Sequence, residues 1–470
     1  MRKFVAFFLS VLANFGLEAL GSVPDSLGVA IALRMDSIVD GNADLLDRTQ
    51  LGLYVYDLTA DSALYAHGHR QRLRPASTEK LVTSITALTK LGGDYAYRTT
   101  LSALVDTLHS TSEGGSDTLC LRKLIVKGGM DPTVDAQTVS SFVNAVKGIG
   151  KTLPMITPEE GAVLAIDLSF KDSLRLGEGW CWDDDDAPLV PLLYGEDDTF
   201  AQQFVKALEA TDRRGKRVCK VGRIDVSYKP LKKADGEIIL LGRNTNIDKV
   251  LVRMMKNSDN KYAESMFYQL GPTASKAAGC VKDLLKTLGA DVEAVNVADG
   301  SGLSLYNYTT PETLVLLLRH AWRTPEIYRH LQPSLPLAGH DGTLASRMKK
   351  GPARHNVMAK TGTVTGVSTL AGYALADNGH MLAFAIMNQG VCKSSTGRAF
   401  QDTVCQALCA PLVINTVAPE KNTEDTQGDP LPLPARSQSG LFPQQGAFGD
   451  GQNADGGARE RLDDDISAEE

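Results

Sequence analysis

The chain predicts an α+β fold: an antiparallel sheet flanked by helices, with a helical lobe, split by a β-rich insert. Three observations carry that expectation. Strand-like runs sit near both ends, a helix-period run sits between them, and a long stretch of short strand-like runs interrupts the order. At the N-terminal end, Leu51–Leu58 alternates Leu53 and Val55 against Tyr54 and Tyr56. A Thr-Ala-Asp-Ser turn and Ala63–Ala66 follow, which reads as a hairpin. Arg74-Pro75-Ala76 is a turn-like entry, since proline disfavours helix in the residue before it. It leads into apolar positions Leu81, Ile85 and Leu88, spaced as on one helical face. Roughly 101–242 carries the strand-like runs Leu124–Val126, Ala162–Ile166, Val221–Val226 and Glu237–Leu241 among Gly, Asp and Pro, the pattern of one or two inserted modules. Toward the C-terminal end, Ser368–Leu375 and His380–Met387 flank Asp377-Asn378-Gly379, a strong hairpin turn signal. Phe400, Val404 and Leu408 then fit a terminal helix packed on a sheet. One sheet built from both chain ends follows, with its body at 22–100 and 243–415 and the insert at 101–242.

The ends of the chain read differently. Arg2-Lys3, the apolar stretch Phe4–Phe15 and Ala19-Leu20-Gly21 have the form of a secretory signal over residues 1–21. About a dozen apolar residues is short for a membrane span, and no cysteine follows the cleavage site to take a lipid. The mature protein is therefore expected to be exported, periplasmic or otherwise extracytoplasmic, and soluble. The formal net charge of −7 is local: from Pro419 onward there are 12 Asp/Glu against 4 Lys/Arg, leaving about +1 for the body. That balance argues against a nucleic-acid surface. The tail, 416–470, is too poor in apolar residues to order by itself. Seven cysteines are scattered without metal-ligand spacing, and their odd number leaves at least one free if others pair. Cys405 and Cys409, four apart on a helix, read as small buried residues. His67-Gly68-His69 lacks a third ligand nearby, so neither a metal nor an organic cofactor is implied.

Chemistry is concentrated in three strings: Ser77-Thr78-Glu79-Lys80, Ser258-Asp259-Asn260 and Lys360-Thr361-Gly362. They form the S-x-x-K, S-D-N and K-T-G set of serine acyl-enzymes that handle penicillin and D-alanyl-D-alanine peptides. S-x-x-K alone is weak and recurs at Ser258–Lys261 and Ser346–Lys349. The match at Ser77 differs in context: it follows a turn-like entry and opens a helix, where the N-terminal dipole favours developing negative charge and Lys80 shares the face of Ser77. Ser77 is the candidate nucleophile. Lys80 can act as its base only as a neutral amine, which requires burial and a neighbouring cation such as Lys360. Ser258 and Asn260 form a polar relay. Lys360 and Thr361 suit a substrate carboxylate, and the backbone N–H groups of Ser77 and Thr363 suit an oxyanion.

With Gly128-Gly129-Met130-Asp131-Pro132-Thr133, Asp299-Gly300-Ser301-Gly302-Leu303-Ser304 and Leu337-Ala338-Gly339-His340-Asp341-Gly342-Thr343, the set resembles class C low-molecular-mass penicillin-binding proteins, the D-alanyl-D-alanine carboxypeptidase/endopeptidase family. The resemblance spans about residues 25–410. It implies a transpeptidase/β-lactamase-like domain split by an insert after the first motif, peptidoglycan stem peptides as substrate and β-lactam antibiotics as covalent inhibitors. It places Ser77, Lys80, Ser258, Asn260 and Lys360 at the catalytic positions. Trp180-Cys181-Trp182-Asp183-Asp184 is similar to a family loop whose acid, here Asp184, meets the amino group of a diamino side chain. Ser301-Gly302 and Asp341-Gly342 read as turn chemistry. A class A β-lactamase needs an E-x-x-L-N string, and the chain has no Leu-Asn dipeptide. The other alternative is a penicillin sensor that acylates without turnover; it is disfavoured by the absence of a signalling span.

Overall fold

The structure, a computed structural model, describes residues 26–411 apart from 113, 182, 183 and 185. The leader expected over 1–21 and the acidic tail expected over 416–470 lie outside the described residues. In chain order the first elements are helices α1 (Ser26–Asp40) and α2 (Ala43–Leu46), strands β1 (Gln50–Asp57) and β2 (Ser62–His67), and helix α3 (Glu79–Leu91). There follow β3 (Ala96–Leu108), β4 (Thr118–Lys127), α4 (Ala136–Ile149), β5 (Met155–Ile156), β6 (Ala162–Asp167), α5 (Phe200–Glu209), β7 (Val221–Ser227) and β8 (Glu237–Asn246). The last group is α6 (Ile247–Asn257), α7 (Asn260–Phe267), α8 (Ala274–Thr287), α9 (Pro311–Arg323), α10 (Pro325–Ser334), β9 (Met358–Val364), β10 (Val367–Leu375), β11 (Met381–Gln389) and α11 (Ser394–Cys409).

Both ends of the described chain meet in one five-stranded antiparallel sheet of order β2-β1-β11-β10-β9. The two predicted hairpins are present, and the β10–β11 turn uses Gly379 at φ +83°, a conformation glycine adopts without a Cβ penalty. Strand alternation divides the sheet's side chains between two cores. Ala383, Ala385 and Met387 face a core shared with Ile85, Leu88, Met254 and Leu314 of the helical lobe. Leu382, Phe384 and Ile386 face Ile31 and Met35 of α1 and Phe400, Val404 and Leu408 of α11. Helix α3 lies inside the lobe: every residue from Glu79 to Leu88 is buried, so this helix has no solvent face over those turns. Each fully buried aliphatic side chain of that helix contributes roughly 1.5–3 kcal/mol relative to exposure.

A second sheet, of order β7-β6-β4-β3-β8 with β5 beside β4, is built from residues 96–246. It is mixed: β3 pairs antiparallel with β4 and β8, whereas β4, β6 and β7 run parallel. The sequence reading found only strands in this stretch. The structure adds α4 and α5, whose Phe142 meets Phe200 and Phe204 edge-to-face in the core they share with the sheet. Parallel strands need a crossover, and α4 supplies the one between β4 and β6. Its buried Val139, Phe142, Val143 and Val146 follow helical spacing, and Asp135 opens it with a capping box. All seven cysteines are free thiols; Cys405 and Cys409 are buried, as their spacing suggested. No helix of the described residues is long and apolar enough to cross a membrane.

Candidate active site

Ser77 occupies a short 3-10 turn, Ala76–Thr78, that runs directly into α3. The turn is tightly held. The Pro75 carbonyl accepts from the hydroxyls of Thr78 at 2.6 Å and Thr369 at 2.8 Å, the latter on β10. Ala76 sits at φ +46°, a left-handed conformation that costs energy in an L-residue with a Cβ. Close backbone approaches explain two glycines around it. A Cβ at Gly362 would stand 2.7 Å from the Pro75 oxygen and 2.9 Å from the Ser77 nitrogen; one at Gly302 would stand 1.9 Å from the Ala76 oxygen. The glycine of K-T-G is thus required for the β9 strand to pass against the nucleophile turn, and it sets Thr361 and Thr363 beside Ser77.

Lys80, the second residue of α3 and one turn after Ser77, is fully buried and donates to three acceptors. They are Ser77 Oγ at 2.9 Å, Asn260 Oδ1 at 2.7 Å and the Ser301 carbonyl at 2.8 Å. Burial disfavours its ammonium form and pulls the Lys80 pKa down to about 8, against the opposing pull of Asp299, Glu264, Asp186 and Asp259. The S-D-N string is the corner between two helices. Ser258 closes α6 in a left-handed conformation at φ +60°, Asp259 caps α7 by accepting from the Tyr262 N–H, and Asn260 is the first residue of α7. Lys360, also fully buried on the edge strand β9, donates to Ser258 Oγ at 2.9 Å and to the Thr361 carbonyl at 2.7 Å. Desolvation, and secondarily the charge of Lys80, hold the Lys360 pKa well below the usual lysine range. The structure therefore contains two serine–lysine pairs, Ser77 with Lys80 and Ser258 with Lys360. Ser258, which the motifs suggest as part of a polar relay, accepts at its hydroxyl from Lys360.

Thr361 donates its hydroxyl to Thr343 Oγ1 at 2.8 Å, and Thr363 is exposed farther along the same strand. The Trp180 loop borders the cluster. Trp180 Nε1 donates to Asp299 Oδ2 at 2.8 Å, and Asp186 Oδ2 accepts from Asn260 Nδ2 at 3.0 Å. Asp184 turns back on its own loop and accepts from the Cys181 N–H at 2.7 Å. Of the two described aspartates in this run, 184 and 186, it is Asp186 that touches a motif residue, and burial pushes its carboxyl up.

Three participants escaped the motif reading. Asp186 stands in an acidic run where no spacing rule singles out one member. Ser301 contributes through its carbonyl, so its residue type gives no signal. Thr343 belongs to a string that reads as a turn. Among the described residues, no group of three or more His, Cys, Asp or Glu could hold a metal ion, and His69 instead stacks on Tyr54 with ring centres 5.2 Å apart.

A serine hydroxyl beside a buried amine, a second serine–lysine pair and a strand edge define a serine acyl-enzyme of the penicillin-binding class. The chain belongs to the D-Ala-D-Ala carboxypeptidase 3 (S13) family, which it matches over residues 34–192 and 203–409. It is a class C low-molecular-mass penicillin-binding protein and a serine-type D-Ala-D-Ala carboxypeptidase. Among curated relatives, the D-alanyl-D-alanine carboxypeptidase of Actinomadura sp. (strain R39) is 26% identical over 450 residues, covering 76% of this chain and 80% of the relative. Carboxypeptidase DacB of Mycolicibacterium smegmatis is 26% identical over 413 residues, covering 83% of this chain and 87% of the relative. The crystal structure of penicillin binding protein 4 from Haemophilus influenzae matches with a TM-score of 0.62 at 21% identity. It covers 79% of this chain and 98% of that one, and it establishes the shared fold.

Proposed function

We propose that this protein is exported by a signal at residues 1–21 and cleaves the terminal D-Ala-D-Ala bond of peptidoglycan stem peptides through an ester on Ser77. One observation carries the assignment of roles: a fully buried Lys80 amine 2.9 Å from the Ser77 hydroxyl, with its pKa lowered to about 8. In neutral form Lys80 Nζ accepts the Ser77 proton as Oγ bonds to the carbonyl carbon. The oxyanion sits between the Ser77 and Thr363 N–H groups, where each donor is worth roughly 10²–10³ in rate. The tetrahedral species collapses with cleavage of the C–N bond, and the proton passes to the departing D-alanine amine. Ser258 and Asn260 supply the polar path. Water then adds to the ester and Lys80 again takes and returns the proton. Lys360 and Thr361 hold the terminal carboxylate, and an approaching anion restores the charge that burial denies Lys360.

The same residues serve an endopeptidase, which differs in what the groove admits past the scissile bond. β-Lactams acylate the same serine; a β-lactam complex is known for the Haemophilus influenzae protein of the same fold. The catalytic body is assigned to 22–100 and 243–415 with residues 101–242 inserted, and Asp184 is assigned to the amino group of a diamino side chain.

The test is intact-mass analysis with a labelled penicillin, followed by peptide mapping and by D-alanine release from a D-Ala-D-Ala peptide. One adduct is expected, on Ser77, lost in Ser77→Ala, together with multiple turnovers on the peptide. An adduct on another residue would remove the assignment. A single acylation with no released D-alanine would make the protein a sensor.

A further inference from the structure

Beneath Lys80 lies a pocket of carboxyl groups that the acylation steps do not use. Glu79, Glu264 and Asp299 are each no more than 1% exposed. Glu264 is the member with a defined connection to the base. It lies on α7 four residues after Asn260, hence on the same helix face. Its Oε1 accepts from the Gly300 N–H at 3.0 Å and from the Ser301 N–H at 2.8 Å. The Thr83 hydroxyl holds the Gly300 carbonyl from the other side at 2.7 Å. The Ser301 carbonyl, fixed in this way, is the third acceptor of Lys80. One face of one helix therefore sets two of the three Lys80 acceptors: Asn260 directly, and Ser301 through Glu264.

We propose that Glu264 is a positioning residue for the Ser77–Lys80 couple: its carboxyl orients the Ser301 carbonyl that aims the Lys80 amine, and its charge state governs how readily that amine gives up its proton. The inference rests on Lys80 being the base that activates Ser77. Burial, reinforced by Asp299, pushes the Glu264 carboxyl up to about 8, the same range as Lys80, and each charge favours the other's ionised form. The sign is fixed. Ionised Glu264 stabilises the Lys80 ammonium and delays formation of the neutral amine; protonated Glu264 does not. Other groups act on the pair as well. Lys80 is also faced by Glu79 of its own helix, Asp299, Asp186, Asp259 and Lys360. Glu264 is also faced by Lys171 and Tyr268. All of them persist in a Glu264 variant, so the variant removes one carboxylate from an otherwise retained set of neighbours.

The experiment uses the full-chain protein and measures the rate of Ser77 acylation by labelled penicillin G from pH 5 to 10, with peptide mapping of the adduct. Glu264→Ala removes the acceptor for two backbone N–H groups and should slow acylation about 100-fold, the scale of a misplaced reacting group. Glu264→Gln keeps an oxygen for both N–H groups and should recover most of that loss. Because the amide cannot ionise, the rising limb of the rate should move to lower pH by about half a unit or more. A purely structural carboxyl would not move that limb. If Glu264→Ala fails to fold, the limb of Glu264→Gln decides alone. The proposal is overturned by an unshifted limb in Glu264→Gln, or by a folded Glu264→Ala that acylates like the parent. Absence of a Ser77 adduct in the parent protein would instead sink the catalytic assignment on which the inference stands.

Discussion

Lys80 and Lys360 are both sealed from solvent, yet the two ends of the site treat them in opposite ways. The floor around Lys80 is crowded with acceptors and acids: one hydroxyl, one amide oxygen and one carbonyl in contact, with four carboxyls acting on it from Asp299, Glu264, Asp186 and Asp259. The rim around Lys360 offers one hydroxyl and the carbonyl of its own neighbour Thr361. Desolvation lowers both lysines; at Lys80 the acids oppose it and the value stays near 8, whereas at Lys360 the charge of Lys80 adds to it. The difference shows that burial alone does not make a base. A lysine balanced by nearby acids can cycle its proton near neutrality, while one without them awaits an external anion, and a peptide carboxylate is such an anion.

The sharpest way to break this comparison is to remove each amine. Lys80→Met should cut Ser77 acylation by penicillin at least ~10³-fold, within the span expected for loss of a general base, with the fold intact by circular dichroism. Gly362→Ala drives a Cβ into the Pro75 oxygen and the Ser77 nitrogen and should cost about 100-fold or more by displacing the same turn. Lys360→Gln should behave differently. It should lose about tenfold to 100-fold on a peptide ending in a free carboxylate and far less on the matching amide, because a charge-assisted contact is removed; equal losses on both would assign Lys360 to the chemical step. In the parent protein, acylation should rise as pH passes through about 8, since Lys80 acts in its neutral form.

The smallest effect concerns stability. Glu79 is buried, with neither carboxyl oxygen hydrogen-bonded, and burial pushes its carboxyl well above the usual range. A group whose folded pKa is raised contributes most below its unfolded value, near 4.5, and that contribution is lost as pH rises. Glu79→Gln should therefore stabilise the protein at pH 7–8, with the gain shrinking toward zero near pH 4.5. Chemical denaturation at the two pH values checks this; a gain of equal size at both would show that ionisation is not the cause.

Period-two alternation made the β1–β2 hairpin visible in the sequence, the Asp377-Asn378-Gly379 turn made the β10–β11 hairpin visible, and Phe400, Val404 and Leu408 announced α11. The three motifs named the residues that the fold gathers, because each supplies a side-chain function no other residue type provides at that spacing. What escaped detection has a common physical origin. Helices α4 and α5 lie in a stretch whose Gly, Asp and Pro punctuation drew attention to its strands. Ser301 acts through its backbone, Glu264 through a loop 36 to 37 residues away, and Asp186 through a position in an acidic run whose other members look the same on paper. Contacts made by main-chain atoms, or chosen among identical neighbours, leave no residue-type pattern to read.

The bridges from Trp180 to Asp299 and from Asp186 to Asn260 carry an engineering consequence. They run from the segment between the first two motifs to groups beside the base, so that segment cannot be excised as an independent accessory. A shortened chain joining β3 directly to β8 would keep every motif, yet it would leave the Asn260 amide without the carboxyl that now holds its nitrogen. Miniaturisation of this scaffold would have to supply a replacement acid at that point.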